Sequence, residues 1–182
     1  CKKVWECRRP ELNDNATDFL TMMVQRQTAS CIPAAIEDYL SGDDFSTPVD
    51  LLESWEDQDF ELEAPVLSWD EMKQEGLAQI ARRYEHLRNH DTKCETLLEW
   101  LDRLPEEEGG KKVIIFSFFK STLRYLQRKL RERGWKTAKI TGDVKSDPLN
   151  PERDERARQL RLFRDDPEVS VLLSSAVGSE GI

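Results

Sequence analysis

Three short stretches of this sequence hold the side chains best suited to gripping an anion. Ser117-Phe-Phe-Lys120-Ser121-Thr122 offers hydroxyls and an ammonium. Thr141-Gly142 offers a hydroxyl beside a residue with no side chain. Ser174-Ser175-Ala-Val-Gly178-Ser-Glu180-Gly181-Ile182 offers two hydroxyls followed by two glycines. Each stretch follows a short run of strand character. Hydroxyls and bare backbone N–H groups at the end of a buried strand suit phosphate oxygens, and glycine lets a ligand approach the backbone closely. An ordinary turn is the other reading of the last stretch.

Other chemistries find little support. The sequence contains neither G-x-x-x-x-G-K-[ST] nor G-x-G-x-x-G, so it has no phosphate cradle of its own. The only histidines, His86 and His90, lie together in a helical region, which leaves Ser–His–Asp and Cys–His catalysis without a base near a nucleophile. His86, His90 and Cys94 stand at i, i+4 and i+8, one stripe if a single helix carried them. Asn89-His90-Asp91-Thr92 reads as a break, however, and Thr92 with Glu95 reads as a capping box that starts a new helix. No metal is therefore expected. The four cysteines, at 1, 7, 31 and 94, form no C-x-x-C pair and read as reduced thiols of an intracellular, cytoplasmic protein. By itself the chain is expected to hydrolyse nothing.

The anion-gripping stretches need a scaffold, and residues 111–182 supply its grammar. Lys112–Ser117 is a continuous apolar run, as expected of a strand buried on both faces. Residues 120–133 are amphipathic, with Leu123, Leu126 and Leu130 on one side and Arg124, Arg128, Lys129, Arg131 and Arg133 on the other. Gly134 stands where a helix ends. Lys136–Thr141 is a second strand. Asn150-Pro151 offers a helix start, and Ala157, Leu160 and Phe163 an inward face that ends at Asp165-Asp166-Pro167. Val169–Leu173 is a third strand. Strands alternating with helices mean a parallel sheet covered by helices, with function at the carboxyl ends of the strands.

Upstream, Phe19, Leu20, Met22, Met23, Ile32, Ala35, Ile36 and Leu40 suggest helical pieces, with Pro33 opening the second. Residues 37–75 carry 14 acidic side chains against Lys73 alone, with Trp55, Phe60 and Trp69 among them, and read as a solvated linker or insertion. Met72, Leu77, Ile80, Tyr84 and Leu87 space as a helix over 67–87, and a further helix runs from Thr92 to Leu104. Pro105 and the Glu106–Gly110 run mark a boundary.

Charge divides along similar lines. The 182 residues carry a net charge of −9. Residues 1–110 hold 11 Lys+Arg against 26 Asp+Glu, while 111–182 hold 16 against 10. An acidic total argues against a generic nucleic-acid sponge but leaves room for a basic working face on the second part. No apolar run reaches the roughly 18 residues of a membrane helix. The chain starts at Cys1 and stops at Ile182 after a glycine-rich turn, and we read it as a piece of something longer.

Taken in order, KVIIFSFFKSTLRYL (112–126), KITGD (139–143), Arg156 to Phe163 and VLLSSAVGSEGI (171–182) resemble the second RecA-like lobe of superfamily-two helicases. The LLSSAVGSEGI form is similar to that of Swi/Snf-type ATP-dependent DNA translocases, and QRQTASCIPAAIEDYL (25–40) and DTKCETLLEWL (91–101) look like the segments leading into that lobe. The resemblance implies a three-layer α/β lobe with a parallel sheet, a P-loop NTPase-like fold without its own P-loop. It implies a helical lead-in over 1–40, an acidic insertion over 41–70, helices packing on the lobe over 71–110, and the lobe itself over 111–182, truncated after motif V. Residues 113–121 then look like motif IV and 171–182 like motif V. Ser175, with its neighbour Ser174, would contact a nucleic-acid phosphate. Ser117, Lys120, Thr141 and Gly142 would line the same surface. Gly178, Glu180 and Gly181 would couple it to an ATP cleft. ATP and Mg²⁺ would be bound in the parent protein, whose first RecA-like lobe is a partner in cis, and duplex DNA would be the substrate. Two alternatives stand beside this: an RNA- or RNA-polymerase-associated remodelling ATPase of the same superfamily, and a non-catalytic flavodoxin-like binding module.

Overall fold

The computed structural model describes residues 14–41, 78–104, 112–142 and 154–175. The chain divides into two compact units, residues 1–91 and 92–182.

In the first unit, α1 (Asp14–Ser30) and α2 (Ile32–Ser41) meet at Cys31, and Pro33 occupies the second position of α2, where its missing N–H costs no bond. A short α3 (Ala78–Arg83) and a 3-10 helix (Glu85–Asn89) pack against α2. Met23, Val24, Ala34, Ala35, Ile36, Tyr39 and Ala81 are buried. The core also holds polar side chains that hydrogen-bond to one another. The Gln27 side-chain amide donates to Asp38 Oδ2 at 2.7 Å and accepts from the Tyr39 hydroxyl at 2.8 Å. Two expectations fail here. Ile32 and Tyr84, placed on inward stripes by their spacing, are exposed. Tyr84 follows the last residue of α3 and opens the 3-10 turn, which changes the period and swings it out of the stripe.

The second unit opens with α4 (Thr92–Arg103), which buries Cys94, Leu98 and Leu101. The break expected at 89–92 is present, so His86 sits on the 3-10 helix and Cys94 on α4. Then follow β1 (Val113–Phe116), α5 (Lys120–Glu132), β2 (Lys136–Ile140), α6 (Glu155–Asp165) and β3 (Val169–Ser174). The three strands form a parallel sheet in the order β1-β3-β2. The first crossover passes over the place of β3 and the second returns to it. With both right-handed, reversing direction sends the two helices to opposite faces. Register agrees with that. Thr137 pairs with Val171 and its hydroxyl meets Gln127 of α5, whereas Ala138 pairs with Leu172 and packs beneath Leu160 and Phe163 of α6. This is a three-layer α/β arrangement.

Local signals explain the ends. Leu123, Leu126 and Leu130 are the buried stripe of α5. Gly134 has φ +87°, and the N–H groups of Gly134 and Trp135 close on the carbonyls of Arg131 and Leu130 at 3.0 and 2.9 Å. That pairing needs a left-handed residue, which glycine supplies without a steric penalty. α6 starts later than Asn150-Pro151, a pair outside the described residues. Asp154 is its N-cap, with its carboxylate accepting from Ala157 N at 2.9 Å. Ala157, Leu160 and Phe163 are half-buried rather than core.

One strand departs from expectation. β1 alternates half-buried Val113 and Ile115 with exposed Ile114 and Phe116. Ile114 is the register partner of Leu172, on the face that α6 covers over β2 and β3. β1 lies at the edge of the sheet among the described strands, where that cover thins. Lys112 still ties its start to the neighbouring turn, donating to the carbonyls of Asp166 and Val169 at 2.6 and 2.9 Å.

Candidate nucleic-acid interface

Parallel register brings the strand ends level. Phe116 and Ile140 both pair with Ser174, so Ser117, Thr141 and Ser175 emerge side by side at the carboxyl edge. The ladder runs one step past the strands and fixes that alignment: Ser117 N donates to Ser174 O at 3.1 Å and Ser175 N to Ile140 O at 3.0 Å. The sequence-predicted residues Ser117, Thr141, Gly142, Ser174 and Ser175 therefore share one edge of one sheet, and Lys120 opens the helix that follows β1. Gly178, Glu180 and Gly181 lie outside the described residues.

The hydroxyls at this edge differ in what already engages them. Ser117 Oγ accepts from Phe119 N at 3.2 Å, bending the chain into α5. Ser174 is fully buried, and its hydroxyl donates to the carbonyl of Ser175 at 3.2 Å. Ser175 is buried and held in the fold. Thr141 is only 4% exposed, and its Oγ1 has no hydrogen-bond partner among the described residues. A buried hydroxyl left without a partner is costly. Gly142, next to it, is exposed.

α5 adds positive potential. It begins at Lys120 with no acidic side chain in its first turn, so its amide end and an ammonium point the same electrostatic sign at the strand ends. Several of the outer cations near α5 have acidic or aromatic partners in place. Arg128 lies over the Tyr125 ring at 5.3 Å and 3.9 Å from Glu132, Lys129 pairs with Glu132 at 2.9 Å, and Arg133 with Asp102 at 2.7 Å. Phe118, exposed between Ser117 and Lys120, is a surface ring that the pattern of strands and hydroxyls does not single out. Its signal was the Phe118-Phe119 pair, in which adjacent rings cannot both turn inward, and Phe119 is the buried one.

The parallel sheet, its two covering helices and the aligned hydroxyls define an α/β RecA-like lobe. Residues 92–182, half of the chain, match the model of the helicase conserved C-terminal domain, and the chain belongs to that family. The match ties it to helicase-type, nucleic-acid-dependent ATPases. No curated protein and no solved structure matches it. No helix among the described residues is long and apolar enough to cross a membrane.

Proposed function

We propose that this chain is the nucleic-acid-gripping lobe of a Swi/Snf-type translocase that moves on duplex DNA. The supporting observation is the Thr141 hydroxyl, buried at the carboxyl edge with no partner among the described residues. A phosphate oxygen arriving past bare Gly142 would give it one. Ser175, one strand over, and Lys120 at the start of α5 would flank the same phosphate, and Ser117 holds the turn that presents Lys120. Contacts of this kind go to the backbone and carry no base sequence. Gly178, Glu180 and Gly181 would relay the grip toward a nucleotide cleft shared with a first RecA-like lobe.

ATP and Mg²⁺ belong to that cleft on this reading. The described residues include no group of three or more His, Cys, Asp or Glu side chains able to hold a metal, and the sequence has no P-loop. The described residues alone therefore do not form a Mg²⁺ site.

The test is Thr141→Val, which keeps the shape and removes the hydroxyl. Relieving an unsatisfied buried group, worth about 1–3 kcal/mol, should raise the urea midpoint of the chain. Losing a bond to a charged phosphate, roughly 1.5–3 kcal/mol, should weaken its binding to a labelled DNA duplex about 10- to 100-fold. Duplex RNA run in competition reports the substrate. A variant more stable than wild type that binds DNA equally well sinks the reading.

A further inference from the structure

The first unit carries a feature that the strand-end grip does not use. Within a strongly acidic half of the chain, Ala81-Arg82-Arg83-Tyr84-Glu85-His86-Leu87-Arg88-Asn89-His90 concentrates three arginines and both histidines. Ala81 is buried and Leu87 half-buried, which anchors the segment, and every other residue from Arg82 to His90 is exposed. Arg82 and Arg83 form the last turn of α3 and have no ion-pair partner among the described residues. Glu85 does not compensate them, because it pairs with Arg88 at 3.3 Å, and Arg88 also reaches Glu37 at 3.7 Å. Beside these two guanidiniums stands Tyr84, 46% exposed, its ring 6.4 Å from that of His86 and tilted by 43°.

The turn does not need these rings. Backbone bonds hold it: Tyr84 N to Ala81 O at 3.1 Å, Leu87 N to Tyr84 O at 2.9 Å, and His90 N to Leu87 O at 3.1 Å. Tyr84 makes no side-chain capping bond. Two rings thus stand in solvent on a backbone-bonded turn, next to two arginines that no described acidic side chain pairs with. A string of carboxylates would use the guanidiniums and gain little from the rings. A single nucleic-acid strand uses both, since its bases stack on aromatic faces and its phosphates take cations.

We infer that Arg82, Arg83, Tyr84 and His86 form a second nucleic-acid contact, a stacking ledge for unpaired bases separate from the strand-end grip. It binds a single strand through ring faces and phosphates and reads no sequence, because every base offers a π-face.

Fluorescence anisotropy on the full chain tests it, with labelled dT20 and a labelled 20-mer sugar–phosphate strand that lacks bases. Tyr84→Ala should weaken dT20 about fivefold or more and leave the base-less strand within about twofold. Tyr84→Phe keeps the ring and should bind dT20 as wild type does. Arg82→Ala with Arg83→Ala should weaken both strands and reduce the salt slope by about 1.4, the value for two lost phosphate contacts on a single strand. In a Thr141→Val background the Tyr84 effect should persist in full, which separates this ledge from the strand-end reading. The inference is overturned if Tyr84→Ala binds dT20 normally, if it loses both strands equally, or if a poly-glutamate peptide binds as tightly as dT20 and loses affinity in the arginine pair. Circular dichroism of each variant should match wild type, and a lost helix signal in Tyr84→Phe would likewise overturn it by making the ring structural.

Discussion

β1 and β3, Val-Ile-Ile-Phe and Val-Ser-Val-Leu-Leu-Ser, are both largely apolar and are register partners in the sheet. Yet β3 is buried at nearly every position, while β1 shows one face to solvent, with Ile114 at 40% and Phe116 at 57% exposure. Hydrophobicity is not what separates them. β3 is flanked by a strand on each side and covered by α5 and α6, whereas β1 has one neighbour among the described strands. Burial belongs to a strand's place in the sheet, and apolar sequence only permits it.

The largest effect should therefore come from the central strand. Leu172 is fully buried among Ala138, Ile140 and Val169. Leu172→Ala should cost about 2–5 kcal/mol, the transfer term plus a cavity that a close-packed sheet cannot collapse. Urea denaturation of the full chain followed by circular dichroism measures it. A loss no greater than that of Ile114→Ala, its register partner, would break the comparison.

Those two strands also show what can be read without coordinates. Strand and helix positions, the Leu123–Leu126–Leu130 stripe and the glycine ending α5 were legible, because period and left-handed backbone are local properties. Strand order and edge status were not, since they depend on crossovers that skip a position. The helix start at Asp154 was missed because Asn150-Pro151 offered an equally good local signal four residues earlier. For the site, the residue types and their common edge followed from the α/β pattern. Which hydroxyl is left over did not, as Ser174 and Thr141 look alike until their neighbours are known.

A second contrast sets the apolar core of the sheet against the core of the helical pair, where Gln27, Asp38 and Tyr39 are hydrogen-bonded out of water. Burial pushes the Tyr39 phenol well above its usual range, with a hydrogen bond to Thr28 pulling the other way and the nearby Asp38 charge reinforcing the rise. A raised folded pKa binds the proton more tightly in the native state. Its contribution is fully present below about pH 10, the unfolded value, and is lost as pH rises toward the folded one. Tyr39→Phe strands one side of the Gln27 amide and should cost about 1–3 kcal/mol at pH 7. The gap between wild type and variant should narrow at pH 11, whereas the cost of Leu172→Ala should not track that ionisation. Urea midpoints for both variants at the two pH values decide it, and a Tyr39→Phe gap that is constant with pH would mean the phenol titrates alike in both states.

The smallest effect should fall on Phe116, and it is the most direct probe of the edge. Its ring is more than half exposed at the end of β1, beside fully buried Ser174. Phe116→Thr keeps a residue that favours strands and removes the apolar area. Less than half of that area is withdrawn from water in the fold, so the loss should stay near or below about 1 kcal/mol. Solubility should rise, because an apolar edge strand is a template for unwanted pairing. Matched urea curves and the concentration at which light scattering sets in measure the two. A loss of stability approaching that of Leu172→Ala would show that the outer face of β1 is covered in solution, and the distinction between centre and edge would then disappear.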